Sequence, residues 1–428
     1  MTVRFFNAYV LTFDDNNTAF NGEVWVENDK IVYAGLPKKT NLSFDREIDL
    51  NGNILMPGFK NCHTHSPMTL FRSYADDLPL DKWLFEKIFP LEDKLCGEDV
   101  YWGTLLAVLE YLSGGTTAVA DMYFLDDWVI KAMADGGMRC VFVKGMSDLG
   151  KNTQKVLDEC ESMFNKHNGK NPLIKYALGV HAEYTVSRDL LDGAAALSQK
   201  YSAPVSIHLS ESKKEVADCK EKYGRTPPFE IASHGVFDNG GMAYHCVHID
   251  EKDAELLKSK NVSVVINPAS NLKLANGIAP LQMMIDKGIN VAIGTDGAAS
   301  NNALDMFREM YLASVLQKAA TGKPEALPAE TILKMAVKNG AYAMGFDDCD
   351  CIAEGKQADL IAVDIKKPNM QPIANLQKSL VFSAGKSNVF LTMIGGKILY
   401  ENGKFFMGID ENTVYAKCNE IVRRIVNE

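Results

Sequence analysis

Residues 57–84 read PGFKNCHTHSPMTLFRSYADDLPLDKWL, and the rest of the chain takes its meaning from them. His63 and His65 flank Thr64 directly after the short, glycine-bounded apolar run 53–59. A run of that length and setting reads as a buried strand. Side chains two apart on an extended segment share a face, so both imidazoles lean over one spot at the strand's exit. Two nitrogens fixed in that way begin a metal coordination sphere at little entropic cost. A bare His-x-His is as readily a pair of exposed loop histidines, so the remaining ligands must come from elsewhere in the chain.

Composition bounds the answer. A chain of 428 residues, 46% hydrophobic and 23% charged, is an ordinary soluble globular protein with room for one large α/β barrel and a smaller domain, or for two or three medium domains. A net charge of −10 argues against nucleic acid or an anionic membrane as the main partner. There is no basic and apolar leader at the start and no long apolar run, so a cytoplasmic protein without membrane association is expected. The nine cysteines are an odd number and scattered. Only Cys349 and Cys351 are close, without the gap of a zinc knuckle, which fits free thiols in a reducing compartment.

The two chain ends share one style. Segments 3–13, 22–27 and 30–34 alternate and turn like hairpins, and the pattern returns at 358–363, 389–394 and 397–400. Neither end has enough strands to bury a face alone, so the two should join in one small β-sandwich, closed by an amphipathic helix over 411–427. Between them strands and helices alternate. After the opening strand come apolar runs at 116–121, 139–144, 175–181, 204–211, 242–246, 262–267 and 291–296. Helices are expected over 98–113, 124–135 and 252–260, the first two stopped by Gly-Gly and the last capped by Asp250. The reading is an α/β protein: a (β/α)8 barrel over 57–354, with 1–56 and 355–428 supplying the sandwich. An open doubly wound sheet fits the alternation too, but no Gly-x-Gly-x-x-Gly supports it.

Only eight histidines occur, and five fall at barrel strand ends: His63, His65, His181, His208 and His245. Such ends meet at the barrel mouth where active sites lie. Strand eight finishes on Asp296. Three imidazoles and a carboxylate make a sound divalent site, and His63, His65, His208 and Asp296 are the expected ligands. Glu211, three residues after His208, is placed to carry protons beside the metal without binding it.

At this point the residues resemble a known family. The opening Pro57-Gly58-Phe59 through His63-Thr64-His65 is similar to the amidohydrolase superfamily. The stretches 67–72 and 75–80, with His208-Leu209-Ser210-Glu211, 267–274 and 294–302, resemble its 5′-methylthioadenosine/S-adenosylhomocysteine deaminase branch. The resemblance implies one zinc or iron ion and hydrolytic deamination of a purine-like ring. It implies His63, His65, His208 and Asp296 as ligands, Glu211 as proton shuttle, and Asp296 also as a base. It further implies that His245 steadies the attacking water, Glu92 contacts ribose hydroxyls and His181 contacts substrate. Where the branch carries an arginine for the substrate's anionic tail, this chain has Lys144. Lysine keeps the charge and loses the bidentate fork, which leaves the tail preference open.

Two other enzymatic and non-enzymatic readings stand beside this one. A chlorohydrolase or other ring aminohydrolase, acting on guanine- or triazine-type substrates, would use the same metal site. A binding protein that kept the barrel would have lost the ligands, which are intact. The zinc nucleobase deaminases of another fold are excluded, since their Cys-x-x-Cys is missing. The resemblance further implies a single metal, since binuclear relatives carry a metal-bridging carbamate on a lysine at the end of strand four, where this chain has His181. Trp83 should pack the helix that follows, Met68 and Leu70 should line the pocket or the core beneath, and Asp76-Asp77 is either a lid or a solvated pair. His167, His234 and His248 read as surface or core residues. Homo-oligomerisation is left open.

Overall fold

The computed structural model describes residues 1–427. Strands β1 (Thr2–Leu11), β2 (Ala19–Glu27), β3 (Lys30–Gly35), β4 (Arg46–Asp49) and β5 (Ile54–Pro57) form the N-terminal part of one sheet. The barrel strands follow: β6 (Phe59–Thr64), β7 (Thr116–Tyr123), β8 (Arg139–Met146), β9 (Ile174–Ala182), β10 (Val205–Leu209), β11 (Gly241–His245), β12 (Val262–Ile266) and β13 (Val291–Ile293). The C-terminal strands are β14 (Leu360–Val363), β15 (Val389–Ile394), β16 (Lys397–Glu401) and β17 (Lys404–Phe405).

Strands β6 to β13 are parallel neighbours in chain order, with helices between them. The circle closes where Asp296 N donates to His63 O at 2.9 Å and Thr295 N to Asn61 Oδ1 at 2.9 Å. The architecture is a (β/α)8 barrel. Its closing seam ties together two residues of the expected metal site, so fold and site are built by the same bonds.

The apolar run that opens the barrel is shared between two sheets. Residues 54–57 pair with β1 and β14, whereas 59–64 pair with β7. Gly58 is the hinge: its N–H donates to Asp359 O at 3.0 Å, and a Cβ there would lie 2.1 Å from the Thr117 side chain. Proline before it has no amide to continue the ladder, so the chain changes sheets at that point.

The chain ends make a nine-stranded mixed sheet in the order β17-β16-β15-β14-β5-β1-β2-β3, with β4 on β1. Hydrogen bonding runs through it without a break, around a core that includes Val3, Phe5, Val24, Leu360 and Leu391. A buried bidentate pair fastens this sheet to the barrel: Arg139 Nε and Nη2 donate to Asp359 at 2.7 and 3.0 Å. The last helix (Glu411–Asn427) lies against the helix Gly97–Ser113, where Arg424 pairs with Asp99 at 2.5 Å. Among the described residues no helix is long and apolar enough to cross a membrane.

Candidate active site

Four barrel strands deliver the polar centre. His63 lies within β6 and His65 just beyond it, His208 within β10, His245 at the end of β11, and Asp296 just past β13. The ligand nitrogens of His63, His65 and His208 lie within 4.8 Å of one another, and so do the ligand atoms of His63, His245 and Asp296. His65 Nε2 is 3.2 Å from Asp296 Oδ1, and His63 Nε2 is 3.4 Å from the same oxygen. His208 Nε2 faces His65 Nε2 at 3.4 Å.

The outward nitrogens decide where the inward ones point. His65 Nδ1 is bonded to Met122 O at 2.5 Å and His208 Nδ1 to His181 O at 2.7 Å. Each carbonyl accepts an Nδ1–H, so in the neutral ring, the form that binds a metal, Nε2 is the lone-pair donor toward the centre. The His63 ring stacks on Tyr244 at 3.9 Å between centroids, and neither of its nitrogens has a hydrogen-bond partner among the described residues. An orphaned buried imidazole nitrogen among carboxylate and imidazole neighbours has the chemistry a cation satisfies. The residues therefore fit a divalent metal ion.

Electrostatics follow from burial. Burial, with help from the neighbouring imidazoles, takes His208 well below the ordinary histidine range, and burial takes His63 down to about 3. For His65 burial works downward too, but the Asp296 carboxylate overrides it and lifts the ring to about 9. Burial also opposes ionisation of Asp296, and the two histidines outweigh it and hold that carboxyl well below its ordinary range. Two serines complete its setting, Ser270 Oγ at 2.5 Å and Ser300 Oγ at 3.0 Å from Oδ2.

Glu211 is buried beside this centre, with Oε2 3.6 Å from His245 Nε2. Burial raises its carboxyl above the usual carboxylate range. Its backbone is held by Glu215, which accepts from Ser210 N and Glu211 N at 2.7 Å each. His245 Nδ1 faces Asn271 Oδ1 at 2.8 Å, so the amide oxygen accepts an Nδ1–H and turns Nε2 toward Glu211.

Above these groups opens a cavity of about 630 Å³, within the usual range for a small-molecule site. Its floor includes His65, His181, His208, Glu211, His245 and Asp296, and Glu92 stands in its wall. Burial pushes the Glu92 carboxyl up to about 7. Phe85, Phe89, Phe124 and Leu149 supply apolar lining, buried Tyr123 stands beside Glu92, and Lys151 is the cation among the lining residues.

Two expectations change. Lys144 does not line the cavity; its ammonium is bonded to buried Asp126 at 2.8 Å, where Tyr176 Oη also donates at 2.6 Å. Side chains alternate along β8, and Gly145 is the neighbour that faces the cavity. Trp83, expected to pack the helix that follows, is buried in the core and also lines the cavity with Met68, whereas Leu70 is buried against Gly103. Asp76 does not line the cavity and is tied to Lys273 at 2.5 Å and to Asn302 at 3.3 Å. Sequence reasoning assigned no role to Asn271, Asn276, Ser270 or Lys151. The first three sit in or just after the quoted motif 267–274, and the polar run was the signal available.

A model of the amidohydrolase family matches residues 54–399. The chain belongs to the amidohydrolase family. It is 41% identical over 424 residues to a 5-methylthioadenosine/S-adenosylhomocysteine deaminase of Pelotomaculum thermopropionicum, covering 98% of each chain. A 5′-deoxyadenosine deaminase of Methanosarcina acetivorans is also 41% identical over 424 residues, covering 98% of this chain and 97% of that one. The crystal structure of an adenosine deaminase from Xanthomonas campestris with bound zinc matches with a TM-score of 0.94 at 34% identity, covering 100% of this chain and 98% of the other.

Proposed function

We propose that this amidohydrolase removes the ring amino group of an adenosine derivative by hydrolysis, releasing ammonia. The observation that carries the reading is the meeting of His63, His65, His208 and Asp296 beside a buried carboxyl, Glu211, at the floor of one cavity. The deaminases among its relatives point to the same chemistry.

His63, His65, His208 and Asp296 would hold one divalent ion, with zinc the first choice, as in the similar zinc-bound deaminase, and iron the second. Such an ion, when bound, supplies a Lewis acid that makes water a nucleophile near neutral pH. The chain's own groups do the rest. Glu211 gives its carboxyl proton to the ring nitrogen beside the attacked carbon. It then takes the remaining proton of the added hydroxyl and passes it to the departing amine, and is reset by the proton that Asp296 removed from the water. Its proton affinity, raised by burial, suits a group that must hold a proton before passing it on. Asp296 takes a proton from the attacking water, with Oδ2 steadied by Ser270 and Ser300. His245 places an N–H or lone pair where the water and the tetrahedral carbon meet, and His181 borders the ring.

Glu92, as a carboxylate, accepts from the two ribose hydroxyls, while the apolar lining takes the 5′ substituent. A wall carboxylate of that kind has no task on a halogenated triazine, which favours the nucleoside over the chlorohydrolase reading. In the lining Lys151, rather than Lys144, is placed to meet an anionic tail. All nine cysteines are free, which supports a reducing, cytoplasmic setting.

The test is ammonia release from adenosine, 5′-deoxyadenosine, 5′-methylthioadenosine and S-adenosylhomocysteine, beside guanine and a chlorotriazine. Turnover confined to the adenosine derivatives is expected. Halide release from the triazine, with no ammonia from any nucleoside, would replace the reading by the chlorohydrolase one.

A further inference from the structure

One hydrogen bond beneath Glu211 has no part in the scheme above. Asn276 Nδ2 donates to Glu211 Oε1 at 2.8 Å. Asn276 is 8% exposed and does not line the cavity, whereas Leu274, two residues earlier, does. The amide therefore meets the carboxyl from outside the cavity lining.

Asn276 is itself held from two sides. Its N–H donates to Asn271 O at 2.8 Å, and its carbonyl accepts from His248 Nε2 at 2.7 Å. Ala275 takes a left-handed φ of 56° to make this turn. The same short stretch carries Asn271 on His245 and Ser270 on Asp296. Residues 270–276 thus reach Asp296 and Glu211, the two groups assigned to proton work, and His245 beside them.

We propose that Asn276 is a positioning residue of the deamination and acts through Glu211; the inference rests on reading Glu211 as the proton carrier. The last torsion of a glutamate is broad, so an untethered carboxyl offers either oxygen to the reacting atoms. Asn276 occupies Oε1 and leaves Oε2 as the oxygen turned toward His245. A neutral N–H donor can hold the carboxyl in both of its protonation states, which a proton carrier needs through a full cycle. An aspartate at 276 would remove that donor and set a like charge against Glu211.

The test is a double-mutant cycle on metal-loaded protein with 5′-deoxyadenosine and 5′-methylthioadenosine as probes. Asn276→Ala and Asn276→Asp are each made alone and with Glu211→Gln. Alone, each should lower kcat about tenfold, the loss expected for a hydrogen bond to a charged group, with KM within about threefold and metal content unchanged. In the Glu211→Gln background the same changes should cost less than about twofold, because the group they act through is gone. A loss that persists in that background overturns the proposal, as does a loss confined to KM or a parental kcat. If the alanine chain does not fold, the aspartate chain carries the comparison, and failure of both to fold would make Asn276 purely structural and overturn it. Glu211→Gln with parental kcat would instead overturn the reading of Glu211 itself.

Discussion

Lys144 and Asp126 form an ion pair of 2.8 Å behind the cavity wall, with Asp126 buried and Tyr176 bonded to its second oxygen. The cation that the sequence offers for a substrate's anionic tail is thereby spent inside the protein. The pair anchors the start of the helix Asp126–Asp135, directly after Phe124 and Leu125 in the cavity lining. Lys144→Ala should then act on stability, costing about 1.5–3 kcal/mol as a bond to a charged partner. Thermal unfolding checks this. A variant as stable as the parent, but with a lost preference for a carboxylate tail, would return Lys144 to the substrate.

Lys151 takes the opposite expectation. It lines the cavity, so Lys151→Ala should raise KM for S-adenosylhomocysteine several-fold and leave 5′-methylthioadenosine and 5′-deoxyadenosine almost unchanged. Steady-state kinetics on the three substrates decide it, and an equal rise for all three would mean that the lysine only shapes the cavity.

These two lysines show what was legible in the sequence and what was not. The eight-strand alternation was readable, and with it the strand ends that bring His63, His65, His208, His245 and Asp296 together. Which face a strand residue takes was not, because shifting one position flips it, and Lys144 and Gly145 differ by that one step. The division of 53–59 between two sheets was hidden for a related reason. Both halves are apolar, and the crowding of Gly58 against Thr117, which shows where the chain turns, exists only in the fold. Asn276 was beyond reach, since a loop residue's partner is set by tertiary packing.

Glu92 should give substrate binding a pH dependence. Burial raises its carboxyl to about 7, so below that pH it is increasingly protonated. A protonated carboxyl accepts fewer hydrogen bonds from the ribose hydroxyls than a carboxylate does. KM for a ribose-bearing substrate should therefore rise as pH falls from about 8 to about 6. Glu92→Gln should flatten the dependence at a uniformly high KM. A profile unchanged by the substitution would assign the titration to another group.

The Arg139–Asp359 pair should control how firmly the terminal sheet is held on the barrel. Burial opposes ionisation of Asp359, but Arg139 prevails and keeps its carboxyl below the usual range. The stability it contributes is present above the unfolded carboxyl's pKa and is lost as pH falls through the lower folded value. Asp359→Ala, which strands a buried guanidinium, should cost about 3–5 kcal/mol. Chemical denaturation at neutral pH measures it, and a cost below about 1 kcal/mol would contradict a clasp role.

Metal removal should abolish turnover and leave a folded protein that regains activity with zinc. Elemental analysis should find about one equivalent per chain, since the two candidate ligand groups overlap at His63 and make one centre. Two equivalents, both needed for activity, would contradict a mononuclear site.

The central claim is that Glu211 carries the protons of a metal-dependent deamination, and turnover of metal-loaded Glu211→Gln tests it most directly. Glutamine keeps the size of the side chain and removes its capacity to carry a proton. Ammonia release from an adenosine derivative should fall by about 10²–10⁴-fold while the variant keeps its metal and still binds substrate. A variant that holds its metal and releases ammonia within about threefold of the parent would contradict the account and pass the role to His245.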